Sequence, residues 1–184
     1  MRMFVWLAGW LLLCPVWAHA DIMVNGEPAP LIEWDELMPE GYGASLLDLF
    51  DSPELDQIDD YSERGMELMQ QMMQRLSSAP VVNEMDGRMV SIPGFVVPLD
   101  NPGGKVRHFF LVPYYGACIH VPPPPSNQII DVHFEPGTDD DNLYDAILVS
   151  GRLTTETYSH EMGTAGYRLE AYSIQPYEAS SYFD

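Results

Sequence analysis

Residues 80–178 predict a small five-stranded antiparallel β-barrel, and residues 21–79 predict an acidic helical extension in front of it, so the chain reads as mainly β within the α+β class. Three observations carry this. Five short runs rich in β-branched and aromatic residues recur through the second half, with turn clusters such as Asp100-Asn101-Pro102-Gly103-Gly104 and Pro136-Gly137-Thr138 between them. No long helical pattern separates most of these runs, so neighbours pair as antiparallel strands and the sheet closes on itself. The first half has helical periodicity instead.

The strands are expected at 90–99, 108–113, 128–134, 146–153 and 167–174. In the third, Ile130, Val132 and Phe134 alternate with Asp131 and His133. In the fourth, Ile147, Val149 and Leu153 lie against Ser150 and Arg152, so each strand has one buried and one wetter face. Pro93-Gly94 interrupts the first run and predicts a bulge or corner. Five such strands suit a barrel of the oligonucleotide/oligosaccharide-binding (OB) type. In the extension, residues 31–38 form a helical turn ended by Pro39, 44–50 form a second, and 61–76 form the clearest helix. There Met66, Met69, Met72, Met73 and Leu76 make one apolar stripe, expected to pack on the barrel. Ser62 with Gly65 three residues on makes no capping box, so the helix start is unmarked.

Residues 1–20 read as a signal peptide: Arg2, an apolar run from Phe4 to Trp17, and the small-residue ending Ala18-His19-Ala20. Cleavage after Ala20 is expected to deliver a periplasmic protein with no stable membrane insertion, the apolar run being shorter than the ~20 residues that span a bilayer. Residues 179–184 are a short C-terminal tail. The whole chain has 8 basic and 28 acidic side chains. Removing Arg2 leaves 7 − 28 = −21, which argues against nucleic acid and anionic lipid as partners. Cys14 lies in the signal peptide, so Cys118 stands alone after cleavage and no internal disulfide can form.

A lone thiol in an oxidising compartment is buried, metal-bound or chemically active, and all three readings stay open for Cys118. His120 lies two residues on and shares its face if the segment is extended, which makes a metal half-site or a thiol with its proton acceptor. Zinc needs further ligands; His108 and His133 are the candidates, with His160 and the hard donor Asp131 also available. The rigid Pro122, Pro123, Pro124 and Pro125 run, with Asn127 and Gln128, is the candidate interaction loop, or else a crossover held against its own barrel. Methionines at helical spacing are read as core rather than as a copper site. Asp139-Asp140-Asp141 reads as a solvated turn. Phosphate loops, serine-nucleophile elbows and paired metalloprotease histidines are absent, so enzymatic chemistry has only Cys118 with His120 to draw on, as a redox or nucleophilic thiol.

Three blocks carry a resemblance: Ile32-Glu33-Trp34-Asp35-Glu36-Leu37-Met38-Pro39, Ile92-Pro93-Gly94-Phe95-Val96-Val97-Pro98-Leu99, and the stretch from Phe110 through Cys118 and His120 to Gln128. With Val149-Ser150-Gly151-Arg152-Leu153 and Ala165-Gly166-Tyr167-Arg168-Leu169-Glu170-Ala171, the chain resembles the exported proteobacterial family known as domain of unknown function 3299. The resemblance implies an association, members of that family being often encoded beside components of an ATP-driven transporter and a periplasmic metal-binding protein under zinc control. The resemblance therefore implies a non-enzymatic periplasmic accessory in envelope zinc homeostasis, with another envelope protein or transporter component as partner. The chain lacks the histidine-rich tract of a zinc scavenger.

Overall fold

The computed structural model describes residues 22–50, 62–100, 104–117, 123–139 and 145–177. Their strands are β1 (Met23–Val24), β2 (Glu27–Pro28), β3 (Met89–Pro98), β4 (Lys105–Val112), β5 (Ile130–Asp139), β6 (Ile147–Thr154), β7 (Tyr158–His160), β8 (Gly163–Ala165) and β9 (Tyr167–Pro176). Two α-helices, α1 (Tyr42–Phe50) and α2 (Glu63–Ser77), lie in the extension. A closed barrel runs in the order β3-β4-β5-β9-β6. Four of its pairings are antiparallel, but β5 and β9 pair in parallel, Ile130 opposite Tyr167 and His133 opposite Glu170, so the sheet is mixed. This is the five-stranded OB arrangement that the strand count predicts, and the parallel pair arises because β9 closes the barrel against the third barrel strand.

Alternation decides which side chains fill the barrel. Val90, Ile92, Phe109, Leu111, Ile130, Val132, Val149, Leu153, Tyr167 and Leu169 form one buried cluster. Their sequence neighbours Val97, Phe110, Val112 and Ile129 form a second, with Ala117 and Ala165, on the outer face of β3 and β4 beneath the β7–β8 hairpin. Pro93-Gly94 is the predicted corner: β3 pairs with β6 up to Gly94 and with β4 from Phe95 onward. Glycine is required there because a Cβ would lie 2.8 Å from both Leu111 Cγ and the Val112 carbonyl oxygen.

The extension is tied to one end of the barrel by hydrogen bonds. The Ile32 amide donates to the Ser91 carbonyl at 2.9 Å, the Trp34 indole donates to the Pro93 carbonyl at 2.7 Å, and residues 34–37 form a 3₁₀ turn that buries Leu37. The Tyr167 hydroxyl, inside the barrel, donates to the Leu37 carbonyl at 2.9 Å and accepts from the Val82 amide at 2.6 Å. Burial raises the Tyr167 phenol above its ordinary value, opposed by the Val82 amide.

The structure corrects the reading of the helical stripe. Ser62 does cap α2, its hydroxyl accepting from the Gly65 amide at 3.0 Å. Yet only Leu76 of α2 is buried, whereas Met66, Met69 and Met73 are 59%, 50% and 37% exposed. Helical periodicity defines a face but not what lies opposite it, and here Leu68 and Met72 are half-buried and Leu76 buried while the other three methionines point outward.

Two stability effects follow. Tyr167→Phe leaves the Val82 amide without its acceptor and should cost about 1 to 3 kcal/mol in urea unfolding. Because the native phenol titrates above the unfolded value of 10.0, its contribution is intact below pH 10 and is lost as pH rises through the native value; the Phe variant should lack that alkaline decline. Gly94→Ala should cost about 1 to 3 kcal/mol through overpacking at the corner, read by the same unfolding measurement.

Candidate functional site

The outer face of β4 and β5 carries a polar cluster beside the second hydrophobic cluster. Strand register builds it. His108 on β4 lies opposite His133 on β5, and Asp131, two residues back on β5, lies opposite Arg168 on β9. A bulge between Val106 and His108 re-aims the strand just before the histidine. The two imidazoles stack at 4.4 Å between ring centres, and Tyr158 of β7 lies against His108 at 5.3 Å.

Asp131 is the hub, and its side chain is wholly buried. His108 Nε2 approaches Oδ1 at 2.7 Å, while His133 Nε2 at 3.1 Å and Arg168 Nε at 3.0 Å share Oδ2. A carboxylate only accepts, so each imidazole presents its Nε2 proton to it. Arg168 also reaches Glu156, in the connection after β6, at 2.5 Å. Burial lowers the Arg168 guanidinium, but Asp131, Glu156 and Glu170 more than offset this and hold it above its ordinary value. Three donors on a buried carboxylate satisfy the requirement that a desolvated charge be paired and hydrogen-bonded.

His108, Asp131 and His133 offer ligand atoms that all lie within 4.8 Å of one another. Two imidazole nitrogens and a carboxylate oxygen suit zinc and similar divalent ions. Tetrahedral bonds of about 2.0 to 2.1 Å separate ligand atoms by roughly 3.3 Å, so an ion would need the 2.7 and 3.1 Å contacts to Asp131 to open, with each imidazole proton moving to Nδ1. The cluster is partly solvent-facing, His108 at 21% and His133 at 38% side-chain exposure, which leaves room for a further ligand.

Of the residues expected to bear function, His108 and His133 are therefore brought together around Asp131. Cys118 and His120 lie outside the described residues, as does Pro122. The interaction-loop reading is corrected at Asn127 and Gln128, which face inward: Asn127 Nδ2 donates to the Pro80 carbonyl at 2.8 Å and Gln128 Nε2 to the Trp34 carbonyl at 2.9 Å. Pro124 is buried, and Pro123 and Pro125 are half-buried. His160 stands apart, its Nδ1 accepting from the Met162 amide at 3.3 Å. Arg168, Glu156 and Tyr158 were not foreseen. Arg168 sits at an outward position of its strand, the one sequence signal that marked it, and Glu156 and Tyr158 reach the cluster through loop geometry. Two surface grooves of about 200 Å³ each, one lined by Phe134, Ile147 and Ile174 and the other by Tyr42, Leu46 and Arg75, include no residue of the cluster.

Fold and site together define an OB-type barrel whose polar network lies on the strand face that such barrels use for ligands. The chain belongs to the DUF3299 family, a family of proteins of unknown function, whose model matches residues 34–176. It is similar to a solved DUF3299 family protein from Pseudomonas aeruginosa, with 36% identity and a TM-score of 0.63 over 83% of this chain and 98% of the other. No curated protein matches the chain.

Removing the hub should be costly. Asp131→Ala leaves Arg168 and two histidines without their shared acceptor, and a loss of about 2 to 3 kcal/mol is expected in chemical denaturation, moderated by the partners' solvent access. Glu156→Gln, at an exposed pair, should cost under about 1 kcal/mol in the same assay.

Proposed function

We propose that the protein is a non-enzymatic accessory of the periplasm that binds a divalent cation, zinc foremost, through His108, Asp131 and His133, and serves envelope metal homeostasis alongside a transporter component. The observation that carries the metal-binding part is the convergence of three ligand atoms within 4.8 Å on paired strands. Strands hold ligands more firmly than loops do, and a buried carboxylate with fixed donors keeps its orientation between the two imidazoles. Counted with neutral imidazoles, Asp131, Glu156 and Arg168 carry a net single negative charge, which a divalent cation offsets. A chain with a formal charge of −20 also concentrates cations around itself. The exported address and the transporter partnership rest on the signal-peptide pattern and the family resemblance. Thiol chemistry at Cys118 with His120 is the alternative, and the cluster lends it no support.

Zinc titration of the mature chain against a chromophoric chelator tests the reading. One zinc per chain is expected, with affinity falling about tenfold or more in His108→Ala and in His133→Ala, and unchanged in Cys118→Ser. Uptake that is indifferent to both histidines, or that depends on Cys118 alone, would move the metal away from the cluster.

A further inference from the structure

We infer that the exposed methionine face of α2 is a second metal site, of soft character, that takes a cuprous ion through thioether sulfurs centred on Met69. The inference starts from the burial pattern. Methionines at helical spacing ordinarily fill a core, but Met66, Met69 and Met73 are 59%, 50% and 37% exposed and Met72 is half-buried, while Leu76 one turn on is 3% exposed. The helix turns Leu68, Met72 and Leu76 toward the protein, and Met66, Met69 and Met73 lie on its more exposed side.

Helix geometry gathers those sulfurs. Met66 lies three residues before Met69, Met72 three after and Met73 four after, so each is a surface neighbour of Met69, with Cβ atoms about 5 to 6 Å apart. At about 100° per residue, Met69 and Met73 fall within roughly 60° of Met66 on the helix surface. By the same count Arg64 and Arg75 lie roughly 160° to 180° from Met66, and Arg75, three residues after Met72, neighbours only that one of the four methionines. Methionine side chains are unbranched and flexible, which lets three sulfurs from successive turns converge on one ion.

The ligand class follows from the donors. Thioethers are soft and neutral and select cuprous copper over zinc, calcium or magnesium. The imidazole and carboxylate cluster on the barrel wall suits borderline divalent ions, and since imidazole also accepts copper the two sites are told apart by their variants. Binding involves no change of oxidation state, because the ion is taken as Cu(I) and held as Cu(I).

The test uses the mature chain with Cys118→Ser, which removes the one thiol able to bind the same ion. Cu(I) is titrated in competition with bicinchoninate, and Ag(I) serves as a redox-inert probe in spectra of ¹³C-methyl methionine. One Cu(I) per chain is expected, lost about tenfold or more in affinity on Met69→Leu with Met73→Leu and unaffected by His108→Ala with His133→Ala. Ag(I) should shift the methyl signals of Met69, Met72 and Met73 and leave those of Met85, Met89 and Met162 in place. Leucine keeps the apolar bulk and helix propensity, so a face that serves only to dock another protein would lose nothing. Equal Cu(I) uptake by the parent and the double-leucine protein, or Ag(I) shifts confined to other methionines, would overturn the proposal.

Discussion

Parallel pairing between β5 and β9 closes the barrel, and its register sets both the core and the polar cluster. With Ile130 opposite Tyr167 and Val132 opposite Leu169, the inward side chains complete the barrel interior. The same register puts Asp131 opposite Arg168 on the outside. Side chains alternate with a period of two, so a slip of one residue would bring the carboxylate inward and an isoleucine out. Apolar burial inside therefore enforces the ion pair outside. Tyr167 extends the constraint further, since its hydroxyl holds both the Leu37 carbonyl and the Val82 amide and so fastens the extension to the same strand.

Much of this was legible because the signals are local. Each of the five barrel strands announces itself by composition, and the alternation of Ile130, Val132 and Phe134 with Asp131 and His133 already placed the acid and the histidine on one face. Pro93-Gly94 marked the corner for the same reason, as a break in a repeating pattern. What the sequence withholds is register across strands: that His108 meets His133 depends on a bulge at Arg107, and Arg168 meets Asp131 across a sequence separation of 37. The β1–β2 hairpin was readable and passed over. Asn25-Gly26, both with positive φ (52° and 83°), is the dipeptide that two-residue hairpin turns favour. The β7–β8 hairpin is too short for periodicity to register, yet it brings Tyr158 onto His108.

The hairpin also explains why the cluster sits where it does. OB barrels commonly take ligands on the outer face of their second and third strands, flanked by the loops after the first and fourth. Here the β6–β9 connection folds down as β7 and β8, and the apolar part of that face, Phe110 with Val112 and Ile129, is buried beneath it. The partly exposed remainder carries His108 and His133 over the buried Asp131, with Glu156 and Tyr158 supplied by the same connection. Fold alone does not assign function, so the weight rests on that donor set and not on the barrel.

Arg168 is the element that separates a bare metal site from a self-contained hydrogen-bond network. It shares Oδ2 of Asp131 with His133, and a cation bound between the imidazoles must tolerate a guanidinium about 3 Å from one of its ligand atoms. That proximity lowers the charge the carboxylate can offer and favours a borderline ion with strong affinity for imidazole over a hard one that depends on anionic oxygen. Glu156 accepts from the same guanidinium and adds a second negative charge beside it. The arrangement thus holds Asp131 in place through three donors. A buried carboxylate without such donors would either collapse the local packing or take up a proton, and the two imidazoles would lose the common anchor that keeps them stacked.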